Sequence, residues 1–278
     1  MHSFASGEKR NYYGKADVVV YRLQRDGAPP PVFGANVTML LYGDAFWPTY
    51  ASGDNTNLVA TDSMKNFIQR EALNFPGDRQ SHSLEAFCRL LAEKFLRTYP
   101  QTEGIQVSAS EIPYAALAGS TMAFAPSGPE RAVASIEMRQ GGELVELRSG
   151  IHGFKLLRLG GSAFTGFVRD QYTTLPEITN RPLHMWLDLD WTCSTPAELV
   201  ASVRRLVHQV FQEFASGSIQ QVIYQMGTRL LAELPEMAEV RLEANNRTWD
   251  TAAELGDTLG VFTDPRPPYG VLGLTLRR

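Results

Sequence analysis

The chain of 278 residues has few cysteines, few histidines and no long hydrophobic run. Its two cysteines, Cys88 and Cys193, lie far apart without metal-ligand spacing, which excludes a disulfide framework and predicts a reducing compartment. The longest apolar runs, such as Val37–Tyr42, are too short to span a bilayer, so no membrane partner is expected. The N-terminal residues lack the apolar core of a signal peptide, and the chain ends in Arg277-Arg278 rather than a peroxisomal Ser-Lys-Leu. We therefore expect a cytoplasmic protein.

An excess of basic residues is also lacking. Lys and Arg total 26 against 30 for Asp and Glu, giving a net charge of −4. A dedicated nucleic-acid-binding protein carries a basic excess, so this class is excluded. The 44% hydrophobic content is typical of a globular protein, and the length predicts two domains or one large one.

Motifs for metals and phosphates are missing as well. The five histidines form no close pair and no His-Glu-x-x-His motif: His2, His82, His152, His184 and His208. No glycine-rich phosphate loop follows a strand and opens a helix. The residues therefore predict neither a metal nor a bound cofactor.

The first half of the chain alternates between strand and helix patterns. Strands are predicted from β-branched and aromatic residues, and helices from apolar residues at steps of three and four. In the first helix we expect Met64, Phe67, Ile68 and Leu73 to lie roughly on one face. The predicted order is two strands (Ala16–Gln24, Val32–Tyr42), two helices (Thr61–Asn74, Ser83–Tyr99) and two strands (Ile105–Ser110, Ala132–Arg139).

The same order recurs after Gly141-Gly142, a pair that favours a tight hairpin turn. The second set comprises two strand regions (Glu143–Leu159, Leu187–Trp191), two helices (Pro196–Ala215, Ser218–Leu234) and two strands (Val240–Ala244, Val271–Leu276). Thr195 with Glu198, and Ser218 with Gln221, predict capping boxes at the two helix starts.

These patterns predict an α+β protein with two domains, residues 1–140 and 141–278. Each domain has the order ββααββ, with an antiparallel sheet and two helices on one face. The other face of each sheet needs cover or solvent, so we expect several sheets to associate.

Three segments do not follow these patterns. A polar run, Asp54–Asn66, stands at a helix start, where Thr61 or Asp62 could simply be the helix cap. The segment Ser162–Leu175 mixes aromatic, charged and hydroxyl side chains without a period. At Ser218-Ile219-Gln220 a helix N-terminus presents free amides, which favour an anionic ligand.

Three blocks carry a family resemblance: Tyr13-Gly14-Lys15, Val59–Asn66 and Phe164–Leu175. In this order they closely resemble the urate oxidase (uricase) family, and the likeness extends from about Tyr12 to Leu276. The resemblance implies two tandem T-fold (tunnelling-fold) domains. It also implies that urate, dioxygen and water give 5-hydroxyisourate and hydrogen peroxide without a cofactor. The expected assembly is a homotetramer with active sites at subunit interfaces.

The resemblance also implies residue roles. Lys15 and Thr61 would form a proton relay. Arg181 and Gln220 would hold the edge of the planar urate, because a guanidinium offers a rigid donor fork and an amide both donates and accepts. Phe164 would stack on the purine ring.

The remaining matched positions complete the implied site. Leu175 would form an apolar wall, and Ile219 would supply a backbone amide at a helix start. Asn246 matches the asparagine that helps to hold dioxygen or water above the ring, and Asp62 would fix the loop beside the ligand.

One departure affects the relay. Many members of the family have Asn-Lys-His-Tyr where this chain has Asn246-Arg247-Thr248-Trp249. Threonine cannot carry the positive charge of the relay histidine. Lys15 and Thr61 could act with a water, or an imidazole could come from elsewhere in the sequence.

Two other functions stay open. One is a catalytically impaired purine-binding protein, which the threonine at this position would explain. The other is a T-fold enzyme acting on another purine or a pterin. Relatives of that kind usually need a metal with His or Cys ligands, and this chain lacks such a motif.

Overall fold

The computed structural model describes residues 4–25, 32–75, 83–193, 198–247, 249–256 and 258–278. The chain divides into two compact units, Met1–Ser149 and Gly150–Arg278. The division lies within a long strand, a few residues after the Gly141 boundary proposed from the sequence. No helix in the described ranges is long and apolar enough to cross a membrane.

The first unit contains an antiparallel sheet and its helices. Its strands are ordered β1-β2-β3-β6, and β7 follows and crosses the division. A short 3₁₀ turn, Asp44–Phe46, precedes α1. The elements are β1 (Tyr13–Leu23), β2 (Val32–Tyr42), α1 (Trp47–Ser52), α2 (Thr61–Asn74), α3 (Leu84–Thr98), β3 (Gly104–Glu111), β4 (Tyr114–Ala116), β5 (Phe124–Pro126), β6 (Arg131–Arg139) and β7 (Glu143–Phe164).

The second unit repeats this plan with β7-β8-β9-β12 as its strand order. Strands β10 and β11 form a separate antiparallel hairpin. The elements after β7 are β8 (Ile178–Cys193), α4 (Val200–Glu213), α5 (Ile219–Glu233), β9 (Met237–Asn246), β10 (Asp250–Leu255), β11 (Leu259–Thr263) and β12 (Val271–Arg277). The predicted Thr195–Glu198 capping box involves residues outside the described ranges, and the helix predicted from Pro196 begins at Val200, with Leu199 at its N-cap.

In each unit the alternate side chains of the strands face the helices and form the core. In the second unit, Leu187, Leu189 and Trp191 on β8 are almost fully buried, and they cluster with Val203 of α4 and Met226 of α5. The sequence prediction of an α+β chain with ββααββ order in each half is confirmed. The hairpins β4–β5 and β10–β11 and the short α1 are additions to it.

The prediction that Leu73 lies on the same face as Met64 and Ile68 is wrong. Leu73 is 76% exposed, whereas Met64, Ile68 and Ala72 of the same helix are buried. The buried residues recur at steps of four, and successive helix positions differ by about 100°. Leu73 therefore points away from the stripe that covers the sheet.

Candidate active site

A cavity of about 370 Å³ lies within the second unit, in the size range of small-molecule sites. Six of the residues predicted from the sequence line it, together with three residues that were not predicted. The lining residues are Phe164, Leu175, Arg181, Ile219, Gln220, Asn246, Gly270, Val271 and Leu272.

The polar and aromatic side chains of the cavity come from four different elements, and each lies at or near an end of its element. Phe164 is the last residue of β7, and Arg181 lies near the start of β8. Gln220 is the second residue of α5, and Asn246 ends β9. The backbone amide of Asn246 donates to the carbonyl of Gly270 at 3.0 Å, which holds the unpredicted wall segment in place.

Arg181 presents a cation to this cavity. Its Nε is buried and has no hydrogen-bond partner among the described residues. Burial also lowers the pKa of its guanidinium, although such a group stays charged at neutral pH. A buried donor without a partner is costly, so an acceptor on a bound ligand would satisfy it.

The helix start beside Arg181 is well defined. The hydroxyl of Ser218 accepts from the backbone amide of Gln221 at 3.2 Å, as the predicted capping box requires. The side chain of Gln221 accepts from the amide of Gly217 at 2.8 Å rather than from that of Ser218. The first-turn amides of Ile219 and Gln220 lie at the positive end of the helix dipole, which favours an anionic ligand.

The irregular segment before Leu175 folds on itself. Asp170 Oδ1 accepts from the amide of Tyr172 at 2.9 Å and from the hydroxyl of Thr173 at 3.0 Å. Arg169 Nη1 donates to the carbonyl of Leu175 at 3.2 Å. The Arg-Asp-x-Tyr-Thr pattern thus builds a turn that places Leu175 in the cavity wall.

The other predicted residues, Lys15, Thr61 and Asp62, belong to the first unit. A bulge in β1 determines the face on which Lys15 lies. Lys15 pairs with Met39, and Val18 pairs with the residue two positions earlier on β2, so β1 has one extra residue here. Asp17 has a left-handed φ of 56°, and its carboxylate accepts from the Asn36 side chain at 3.1 Å. Lys15 therefore shares a face with the fully buried Met39.

Thr61 is the first residue of α2. Ala60 occupies the N-cap and makes no side-chain cap bond, so the alternative that Thr61 or Asp62 caps the helix is wrong. The carboxylate of Asp62 instead accepts from Lys65 at 2.6 Å and from Asn66 at 2.9 Å. The bond and charge of Lys65 lower the pKa of Asp62, and the charge of Lys15 adds to this effect.

The histidines that the structure describes lie in separate places. Thr248 is outside the described residues. His184 lies beside the residues that flank Thr248 in the sequence. Its Nδ1 is 3.2 Å from the Arg247 carbonyl, and its ring centroid is 5.2 Å from that of Trp249. His152 Nε2 lies 3.0 Å from a carboxylate oxygen of Asp190. Within the described ranges, no three His, Cys, Asp or Glu side chains are grouped so as to hold a metal ion.

Sequence reasoning missed Gly270, Val271 and Leu272 in the cavity wall. Val271 was predicted only as the start of a closing strand, and Gly270 has no side chain to signal a role. Their place in the wall depends on the pairing of β12 with β9, where Val271 lies opposite Asn245. That long-range pairing leaves no local signature.

Comparisons with known proteins point to one family. The family model described as "Uricase" matches residues 11–137 and 147–271. The uricase of Haloferax volcanii is 36% identical, over 96% of this chain and 97% of that protein. The "uric acid degradation bifunctional protein" of Bacillus subtilis is 37% identical, and this chain spans only about 60% of its length.

Solved structures point to the same family. A hyperthermostable mutant of Bacillus sp. TB-90 urate oxidase superposes with a TM-score of 0.88 at 33% identity, over 97% of this chain and 100% of that one. A uricase from Bacillus fastidious gives a TM-score of 0.87 at 34% identity, over 98% of this chain and 94% of that one. The match covers both halves of the chain and both units of the fold, and we conclude that this protein belongs to the uricase family.

Proposed function

We propose that this protein is a cofactor-free urate oxidase. It converts urate, dioxygen and water to 5-hydroxyisourate and hydrogen peroxide. The observation that carries the proposal is the meeting of six sequence-predicted ligand residues in one cavity of suitable size. Membership of the uricase family supports the same substrate.

The cavity offers complementary groups for a flat, anionic purine. The ring of Phe164 stacks on one face of the ligand, and Leu175 borders it with an apolar surface. Arg181 satisfies its unpaired donor with a urate oxygen, and Gln220 both donates to and accepts from the adjoining edge. The amide of Ile219 adds a donor at a helix N-terminus.

The chemistry requires proton removal and electron transfer. Lys15 takes a proton through the hydroxyl of Thr61, and the more electron-rich urate anion then reduces dioxygen. Two electrons pass from urate to dioxygen, which with two protons becomes hydrogen peroxide. Water supplies the hydroxyl group that is added to the ring. Asn246 holds dioxygen or the water above the ring, and Asp62 fixes the loop that carries Thr61.

We further propose that a homotetramer forms the complete site. Lys15 and Thr61 of one subunit would act on urate held by Phe164, Arg181 and Gln220 of another. The support is that these two groups of residues belong to different units of the chain. A monomer would then bind urate weakly and would not oxidise it.

A purine-binding protein without turnover is the second candidate. The sequence observation that favours it is Thr248, which stands where many members of the family have the relay histidine. Such a protein would keep Phe164, Arg181 and Gln220. It would bind purine rings specifically without forming peroxide. Retention of Lys15 and Thr61 favours the oxidase.

The first test mixes purified protein, treated with a metal chelator, with urate in air. Loss of urate absorbance is followed together with peroxide, using heat-denatured protein as the control. One peroxide formed per urate lost is the expected result. Saturable urate binding without either change would favour the binding protein, and absence of both binding and turnover would overturn both candidates.

A further inference from the structure

Arg158 on β7 makes four hydrogen bonds through the two terminal nitrogens of its guanidinium. Nη1 donates to the carbonyls of Phe211 at 3.1 Å and Phe214 at 2.5 Å, at the end of α4. Nη2 donates to the carbonyl of Gly161 at 3.0 Å and to the hydroxyl of Ser216 at 2.7 Å. This single side chain therefore joins the end of β7 to the loop between α4 and α5.

The backbone completes the same joint. Ser162 and Ser216 form an isolated parallel bridge, and both residues are almost fully buried. The amide of Ala163 donates to the Ser216 carbonyl at 2.7 Å, and the amide of Ser216 donates to the Gly161 carbonyl at 2.9 Å. We call these residues, Gly161–Ala163 and Ser216 with Arg158, the β7–loop joint.

Both arms of the β7–loop joint lead directly into the cavity. Phe164 follows Ala163 on one arm. On the other arm, Gly217 and the capping residue Ser218 follow Ser216, and Ile219 and Gln220 come next. The spacing between the aromatic ring and the helix N-terminus therefore depends on the joint.

We propose that Arg158 is a positioning residue that fixes Phe164 relative to Ile219 and Gln220. Its role in urate binding rests on the proposed function. Arg158 itself does not line the cavity.

The chemistry of the joint favours arginine. Its acceptors are three carbonyls and one hydroxyl from two separate segments, and a planar fork with fixed donors can reach them together. The positive charge also lies against carbonyls at the C-terminal end of α4, where a helix favours a cation. Lysine keeps the charge, but a single ammonium group cannot reproduce the fork.

The test compares Arg158→Gln, Arg158→Lys and Ser216→Ala with the control Arg205→Gln. Arg205 lies on the exposed side of α4, with 60% of its side chain accessible. Hydrogen–deuterium exchange of peptides covering residues 159–165 and 214–220 reports on the joint without any substrate. Steady-state kinetics with urate report on the cavity.

Arg158→Gln is expected to raise exchange in both peptides and to lower kcat/KM about tenfold to a hundredfold, mainly through KM. Arg158→Lys should restore part of both properties, and the control should leave both unchanged. Unchanged exchange and KM in a folded variant would overturn the proposal, and so would an exchange increase spread evenly over the chain.

If Arg158→Gln does not fold, Ser216→Ala decides the question, because it removes one acceptor and leaves the backbone bridge. It should give the same changes with smaller size, and unchanged exchange and KM would overturn the proposal. Failure of the wild-type protein to bind or oxidise urate would overturn the proposed function instead. The exchange result would still decide the role of Arg158 in the joint.

Discussion

The hydroxyl of Tyr13 accepts a hydrogen bond from the backbone amide of Val59 at 3.0 Å. Tyr13 lies two residues before Lys15, and Val59 lies two residues before Thr61. This bond therefore ties together the two chain segments that carry the proposed proton relay. The ring of Tyr13 also packs edge-on against Phe46, with centroids 5.0 Å apart, and burial raises the pKa of its phenol to about 12.

Replacing Tyr13 with phenylalanine should leave the amide of Val59 without its acceptor. We expect the free energy of unfolding to fall by about 1–3 kcal/mol, and kcat to fall more than KM rises. Urea denaturation and steady-state kinetics measure the two effects. Tyr50→Phe is a matched control, since the Tyr50 hydroxyl also bonds to the backbone, here by donating to the carbonyl of Tyr12, but on an exposed side chain. An equal loss in both variants would contradict a specific role for the Tyr13 bond.

Lys15→Ala tests the relay itself. A general base typically contributes 10²–10⁴-fold to a rate, so we expect kcat to fall by about that factor while urate affinity changes little. Anaerobic equilibrium binding of urate and the aerobic rate separate the two quantities. Lys94→Ala is the control, because Lys94 lies on α3 and pairs with Glu71, and neither is a predicted site residue. Full activity of Lys15→Ala would refute its role in proton transfer.

Arg181→Gln tests whether Arg181 holds the edge of urate. Hydrogen bonds to a charged group contribute about 1.5–3 kcal/mol, so urate binding should weaken by about tenfold to a hundredfold. Arg181→Lys should recover only part of this affinity, because an ammonium group lacks the fork of a guanidinium. Arg241→Gln, on an exposed part of β9, should bind urate as the wild type does. Wild-type affinity in Arg181→Gln would place the urate elsewhere.

Mixing two impaired variants, assayed at low urate, tests whether subunits share a site. Chains of Lys15→Ala and Arg181→Gln are mixed in equal amounts, dissociated and reassembled. If each site takes Lys15 from one chain and Arg181 from another, about a quarter of the sites should be intact. Activity near one quarter of the wild-type value is expected. Activity no higher than that of the separate variants would argue that one chain supplies both residues.

The two cysteines should differ in reactivity. Burial raises the pKa of the Cys88 thiol well above its usual value, whereas Cys193 is partly exposed. A raised pKa keeps the folded-state thiol protonated, so its contribution to stability is complete below about pH 8.5 and declines as pH rises further. At most one thiol per native chain should react with a thiol reagent near this pH, and two after denaturation. Rapid reaction of both in the native protein would contradict the burial of Cys88.

Strong local signals allowed some elements to be predicted from the sequence. Helix α2 was predicted with its observed bounds because Met64 and Ile68 recur at the spacing of a buried stripe. The start of α5 was predicted because Ser218 is a strong capping residue. The hairpin β10–β11 could not be predicted, because Asp250–Leu255 is exposed along its whole length and shows no alternation.

The cavity shows the same contrast. Phe164 belongs to a block that carries the family resemblance, and Arg181 was assigned through the same resemblance. Arg158, by contrast, resembles any strand arginine in the sequence, since three of its four acceptors lie more than fifty positions away, at Phe211, Phe214 and Ser216. Contacts with backbone carbonyls place no constraint on the residue types that provide them.

The face of the sheet on which Lys15 lies depends on the number of residues in the β1 bulge. Lys15 and Val18 are an odd number of residues apart and still share one face of the sheet, because the bulge absorbs one residue between them. Deleting Ala16 or Asp17 alone would leave a regular strand, in which Lys15 and Val18 are two positions apart and still share a face. Deleting both would keep the valines in the core and turn the lysine to the opposite face. A single deletion here therefore preserves the face of Lys15 and a double deletion does not, which makes the bulge a marker to check when homologous chains are aligned or grafted.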